Sequence, residues 1–478
     1  MTKDTTIRNI FPIFNSFLSY LPSRFLVILN SIIIIPFFAN ILSTTEMGIY
    51  QLIIGMLNLV CTCSTDWITK SALRFYEKYK IQNKLPEFYS NIIFISVATY
   101  LIIIILYFLL SNYISEKYFI AKDTLALLLV LLIPCGIRQF LYQMLRIFNK
   151  PFLYTFSIIM YQCAQLLFFL TLFKFLGNVK AILISMTIGM VIIDIYIIKI
   201  LKFKTELKFK FECGLFKEAL QYSLPTIITN SGIWLLLHMN KYTFQRMEMF
   251  NYTAISAIAW MYISYILTPI LSTFLFANFP LIIKKYEEHK KIKNLTTNTI
   301  KLYCNLFLPL ICTFAFYSKE IANTVFGAKY QQAYIIIPFF AITLFLHELM
   351  KIINIKYHLA NKTYIEMIIT IFCIIICITL NLKLIPHYNL LGAGVAMLFS
   401  ITLLIVIHSL IHFKSIDYLI PHKIFKTIIL TIMLGIIIHI LLTGITKNIN
   451  INFQILKPLT YLPIYYLCLW KTKNKILN

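Results

Sequence analysis

Several basic side chains stand where an apolar chain is least able to carry charge. Arg24 and Arg138 lie inside long apolar runs, Lys70 follows Asp66 by four residues in another, and Lys241 ends a run that also carries His238. An ionised group at mid-bilayer depth costs from ~3 to more than ~10 kcal/mol, depending on how far it snorkels and draws in water. Charges kept at that depth therefore face a protein-lined or watery cavity. The chemistry such a set offers is capture of an anion, because arginine forks onto phosphate with paired hydrogen bonds. The acids Asp66 and Glu348 suit charge balance or ion coupling. Basic groups outweigh acidic ones in the runs, whereas an exporter of cationic drugs calls for exposed acids and aromatic rings.

Each residue also has a plainer reading. Arg24 is ~20 Å along its helix if that helix starts near Phe11, and an inner-edge anchor if it starts near Pro22. Asp66, Lys70 and Arg74 follow one another at i, i+4, forming either a polar stripe towards a cleft or an ion pair beside an anchor. Arg138 sits between Pro134 and Tyr142, too deep to reach an interface without a partner. Asp194, five residues before Lys199, reads as an anchor or as that lysine's partner. Asn230, Trp234, His238 and Lys241 recur at helical spacing as a mixed polar and aromatic face, lining a cavity or packing a helix. Glu348 and Lys351 stand at i, i+3 and read as a pair, with a proton or cation role as the alternative.

The elements that must position these groups are membrane helices. The 478 residues are 60% hydrophobic and 13% charged, with a mean hydropathy of +0.81. Soluble chains carry about 25% charged residues. A crossing takes ~20 apolar residues, and about fourteen are predicted. The first half gives 17–41, 47–73, 88–112, 124–147, 152–176 and 179–201, and the second gives 219–244, 252–283, 297–318, 331–356, 363–385 and 390–413. Two more, 423–444 and 455–471, close the chain. The net charge of +25 lies mostly in alternate connections, as the positive-inside rule requires. That pattern puts both termini in the cytoplasm and gives no reason to expect nucleic acid. The first residues, Met1 to Arg8, read as an uncleaved start. Ten cysteines are scattered without metal-site spacing, so neither metal nor cofactor is expected.

The segment 202–217 alternates lysine with phenylalanine and is either an interfacial stretch on anionic lipid or a solvated linker. It divides an N-terminal lobe, 1–201, from a C-terminal lobe, 218–413, with 414–478 as an appendage. The lobes carry signs of a repeat. Pro22 precedes Glu46-Met47-Gly48-Ile49-Tyr50 by 24 residues, and Pro225 precedes Glu248-Met249-Phe250-Asn251-Tyr252 by 23. Arg146 to Lys150 likewise matches His358 to Lys362 at an offset of 212. Six helices per copy keep both copies in one orientation, a parallel repeat with a substrate cavity expected between lobes.

Three short motifs then carry a family resemblance. Leu42-Ser43, Glu46, Gly48 and Tyr50 form an "LS-x-x-E-x-G-x-Y" turn; Phe326-Gly327-Ala328-Lys329-Tyr330 to Ala333 is similar to "FG-x-x-Y-x-x-A"; and Leu391 to Ala396 resembles a "GAA-x-A" helix entry. In this order they resemble the polysaccharide exporters of the multidrug/oligosaccharidyl-lipid/polysaccharide superfamily, nearest its O-antigen (Wzx-type) flippases. The resemblance implies a MATE-like all-α fold and a non-enzymatic flippase of the bacterial cytoplasmic membrane. The implied cargo is an undecaprenyl-diphosphate-linked oligosaccharide, an O-antigen or other surface polysaccharide unit. Membrane lipids and a polymerase of the same pathway are the further partners. On this reading the diphosphate rests on Arg24, Arg138 and Lys70, with His238 and Lys241 in the same cleft. Where the family often has an Asp-Arg pair, this chain has Asn240-Lys241, so ion coupling through that acid is in doubt. The competing readings are a cation-coupled small-molecule exporter and a membrane polymerase or ligase. Short outer loops weigh against the second.

Overall fold

The computed structural model describes residues 37–38, 41–66, 68, 79, 82–118, 120–148, 150–176, 178–201, 213–287, 293–359, 362–413, 429, 432–440 and 460–466. Every regular element among them is helical: α1 Thr44–Cys61, continued by a π-helical turn Thr62–Asp66, α2 Leu85–Tyr118, α3 Lys122–Ile147, α4 Pro151–Leu176, α5 Asn178–Leu201 and α6 Cys213–Arg246. Then come α7 Phe250–Glu287, α8 Lys293–Phe316, the short α9 Ser318–Val325, a 3-10 stretch Ala328–Ile335, α10 Ile337–Leu359 and α11 Thr363–Phe413. Among the described residues, nine apolar helical stretches are long enough to cross a membrane. The polytopic all-α class is thus the one observed. Two compact units make up the chain, Ile41–Ala254 and Ile255–Asn478 with Met1–Asn40.

Local chemistry explains several helix boundaries. Ser43 caps α1: its hydroxyl accepts from the Glu46 N–H at 3.2 Å, and the Glu46 carboxylate accepts from the Ser43 N–H at 2.8 Å. The serine and glutamate of the first motif are therefore a reciprocal capping box. Gly327 of the second motif has φ +68°, a conformation that favours glycine. Next to it Phe326 packs edge-on to Tyr262 at 5.3 Å, and Tyr330 is fully buried. This turn and the 3-10 stretch occupy the start of the region predicted as one helix over 331–356, so the long helix begins only at Ile337. In α11, Pro386 and the positive φ of Asn389 put a kink between the expected segments 363–385 and 390–413. The 49 residues of its predominantly apolar stretch, at ~1.5 Å each, exceed twice a ~30 Å hydrocarbon core, so this stretch makes two passes.

The two matched strings at 146–150 and 358–362 close their helices alike. The Lys150 N–H donates to the Leu145 carbonyl at 2.9 Å, and the Lys362 N–H donates to that of Tyr357 at 2.8 Å. Both are helix-ending bonds that occupy an otherwise orphan carbonyl. The other matched pair diverges. Glu46 caps a helix, whereas Glu248 is an exposed turn residue with φ +59°. The helix after the basic segment starts at Cys213, inside the 202–217 stretch, whose residues 202–212 lie outside the described ones.

Between membrane helices, water release drives little, and close approach with polar contacts supplies cohesion. In the unit Ile41–Ala254, Leu52, Ile53, Leu131 and Leu183 form a buried seam. Gly136 of α3 lets the chains meet, since a Cβ there would strike the Tyr100 hydroxyl and lie 2.8 Å from Thr65 Cγ2. The Thr65 hydroxyl donates to the Gln139 side-chain oxygen, tying the π turn to the helical turn that carries Arg138. In the other unit, Trp260 meets Phe340 edge-on at 5.2 Å, and Tyr303 stacks on Phe345 at 5.0 Å.

Candidate functional site: an arginine within an apolar helix and its surroundings

Arg138 is the sequence-predicted residue whose surroundings are clearest. A second seam, Leu141 and Leu145 of α3 against Ile193 and Ile197 of α5, holds α3, α4 and α5 together with Tyr142, Tyr154 and Tyr161 packed on it. One turn along α3, the Arg138 guanidinium carbon lies 4.2 Å from the Tyr161 ring centroid. Such a cation–π contact is worth ~0.5–2 kcal/mol, more where water is excluded. Tyr142 and Tyr154 meet edge-on at 5.1 Å beside it. Arg138 keeps part of its surface exposed.

The charge facing Arg138 is Asp194 of α5. Asp194 is 4% exposed, and neither carboxylate oxygen has a hydrogen-bond partner. This corrects the reading of Asp194 as an anchor or partner for Lys199: one face of α5 turns the acid inward to the α3–α4–α5 seam. Sequence reasoning missed its role because Asp194 and Arg138 are 56 residues apart on different helices. The available signal was indirect, since an arginine inside an apolar span calls for a counter-charge and few acids occur in these spans.

The remaining predicted residues differ in how far the structure describes them. Arg24 and Lys70 lie outside the described residues. Asp66 closes the π turn Thr62–Asp66, and Lys70 and Arg74, which would continue its i, i+4 stripe, lie outside the described residues. π turns concentrate at functional sites. On α6, the His238 ring stacks on Trp234 at 4.4 Å and 7°, with Nδ1 2.9 Å from the Trp234 carbonyl oxygen. Lys241 is 3% exposed and faces His238. Gly55 of α1 meets this side of α6: a Cβ there would lie 2.9 Å from the Tyr242 hydroxyl and 3.4 Å from Trp234. His238 and Lys241 thus share one packed face.

Glu348, on α10 in the other unit, is 1% exposed; its Oε1 accepts from Lys351 Nζ at 2.6 Å and lies 3.7 Å from His347 Nδ1. The i, i+3 pair expected from the sequence is therefore formed. Among the described residues, no group of three His, Cys, Asp or Glu side chains is placed to hold a metal ion.

Comparison with known proteins identifies the fold and the family. No curated protein matches the chain by sequence. Among solved structures, the chain is similar to the lipid II flippase MurJ in an inward closed conformation, at 16% identity and TM-score 0.70, over 95% of this chain and 99% of that one. It is also similar to an inward-facing multidrug-resistance MATE transporter of the MOP superfamily, at 13% identity and TM-score 0.62, over 84% and 99% of the two chains. A MOP superfamily transporter from Pyrococcus furiosus, described as having a binding pocket of reverse polarity, matches at 11% identity and TM-score 0.54, over 86% and 96%. These likenesses give the fold. The family model for polysaccharide biosynthesis proteins matches residues 37–335, from before the α1 cap to the end of the 3-10 stretch, and the chain belongs to that family.

Proposed function

We propose that the chain is a flippase for a lipid-linked glycan, carrying an undecaprenyl-diphosphate-linked oligosaccharide across the bacterial cytoplasmic membrane by alternating access. The observation that carries the proposal is Arg138, a partly exposed cation kept inside an apolar span of a polysaccharide biosynthesis family member. A cation in such a place gains most from an anionic ligand that it can fork onto, and a diphosphate is one. Arg24, Lys70, His238 and Lys241 are the further candidates for the cargo, with Asp66 and Glu348 for charge balance or ion coupling. Lobes 1–201 and 218–413 would move against each other, with both termini cytoplasmic. The protein moves its cargo without chemistry on it.

The test is complementation. In a cell that lacks its own flippase but makes a matched lipid-linked glycan, expression of the chain should restore surface glycan, while leaving export of cationic dyes unchanged. Dye efflux without restored glycan, at normal membrane abundance, would favour the small-molecule exporter instead.

A further inference from the structure

Asp194 is the least explained polar group in the unit Ile41–Ala254. It is 4% exposed, and both carboxylate oxygens are buried without a hydrogen-bond partner. Burying a carboxylate without donors is costly, so a retained one has an electrostatic reason to be there. The polar groups that face it come from two neighbouring helices: Arg138, Tyr142 and Cys135 of α3, and Tyr161 of α4. Arg138 is the only cation in that set. Its guanidinium is drawn at once to the Tyr161 ring, 4.2 Å away, and to the field of Asp194. Unlike the acid, Arg138 is partly exposed. Of the two charges, the arginine is therefore the one with surface left for a ligand to meet.

We propose that Asp194 is a positioning residue, a resident counter-charge that holds Arg138 against Tyr161 and competes with the cargo's diphosphate for the guanidinium. The inference rests on the reading of Arg138 as a phosphate-binding group. The competition gives the site a way to let go. Arginine in an apolar pocket with no rival charge holds a diphosphate strongly and releases it slowly. A buried acid that reclaims the guanidinium weakens the bound state without blocking entry. Asp194 thus sets how long the anion stays.

The experiment measures pyrophosphate binding to the full chain in nanodiscs. Asp194→Asn should bind pyrophosphate about tenfold more tightly than the unaltered protein, within the roughly 5- to 150-fold range of typical coupling between sites. It should also export glycan more slowly in cells. Asp194→Glu, which keeps the charge, should stay near the original affinity. A merely structural acid would not give tighter binding when removed, so unchanged or weaker binding by folded Asp194→Asn overturns the inference. Should Asp194→Asn be lost from membranes, the double variant with Arg138→Gln decides. Its return to normal abundance supports the pairing, and continued loss overturns it. Arg138→Gln alone separates the two levels: if it binds pyrophosphate as well as the unaltered protein, the phosphate-binding reading itself fails. If Arg138→Gln weakens binding while Asp194→Asn does not strengthen it, only the counter-charge role fails. Farnesyl diphosphate, measured alongside, should bind more tightly than pyrophosphate; equal binding would overturn a lipid-borne source for the anion.

Discussion

Two of the acids buried among the described residues, Glu348 and Asp194, lie at nearly the same depth and in opposite circumstances. Glu348 lies one helical turn from Lys351, and the pair closes at 2.6 Å with a lysine whose side chain is 45% exposed. Asp194 makes no hydrogen bond through either oxygen, and the cation that faces it belongs to another helix and leans on a tyrosine ring. The first is a local arrangement set by i, i+3 spacing, its ion pair formed within one helix through Oε1. The second exists only because three helices pack. A pair closed within its own helix survives movement of that helix as a body, so it suits an anchor. A charge balanced across helices changes whenever they shift or a ligand intervenes, so it suits a site.

This contrast can be broken most decisively at position 138. Removing a charge-assisted hydrogen bond costs roughly 1.5–3 kcal/mol, or about 10- to 150-fold at ~1.4 kcal/mol per decade. Glycan export is expected in the order Arg above Lys above Gln at position 138, because lysine keeps charge but loses the fork. The measurement is surface glycan in flippase-null cells at matched abundance. Normal export by Arg138→Gln would make this arginine as structural as Lys351. Lys351→Met should act the other way round, lowering thermal stability by about 1–3 kcal/mol as Glu348 loses its partner. Adding Glu348→Gln should recover most of that loss. A fall in export larger than the fall in folded protein would move Glu348 into the functional class. The smallest effect is expected from Gly136→Ala, which presses on the Tyr100 hydroxyl and on Thr65. Overpacking costs ~1–3 kcal/mol. Its signature would be weaker pyrophosphate binding through displaced Arg138, with Glu348 and Lys351 untouched.

Much of the fold was legible because apolar run length dictates a crossing. The expected 152–176 and 179–201 differ from α4 Pro151–Leu176 and α5 Asn178–Leu201 by a single residue at their starts. Prediction failed where backbone conformation, not hydropathy, sets the boundary, at the π turn after Cys61 and at Gly327, whereas the break at Asn389 falls between the expected segments 363–385 and 390–413. The candidate site was legible by half: Arg138 stood out as a charge in an apolar run. In the other unit, Glu348–Lys351 stood out as neighbours on a helix. Asp194 carried no such mark, since no periodicity connects residues on separate helices. His238, which sequence left open between lining and packing, stacks on Trp234 four residues earlier.

The 34-residue helix α2, Leu85–Tyr118, has a consequence for how the protein meets its membrane. At ~1.5 Å per residue it is about 51 Å long, against a hydrocarbon thickness near 30 Å. Tilts average about 20°, which absorbs only a small part of the excess. Its lipid-facing side, with Phe94, Leu101, Ile105, Phe108 and Leu109 all largely exposed, ends where Ser111, Asn112, Ser115, Glu116 and Lys117 begin. The last two turns therefore rise out of the oil as a polar post, held to the next loop by the Ser115 hydroxyl on the Ile120 carbonyl at 2.8 Å. α2 is in effect a depth gauge. Spin labels placed from residue 101 to residue 117 would mark the water line to within a helical turn, and fix how high every other charge in the protein floats.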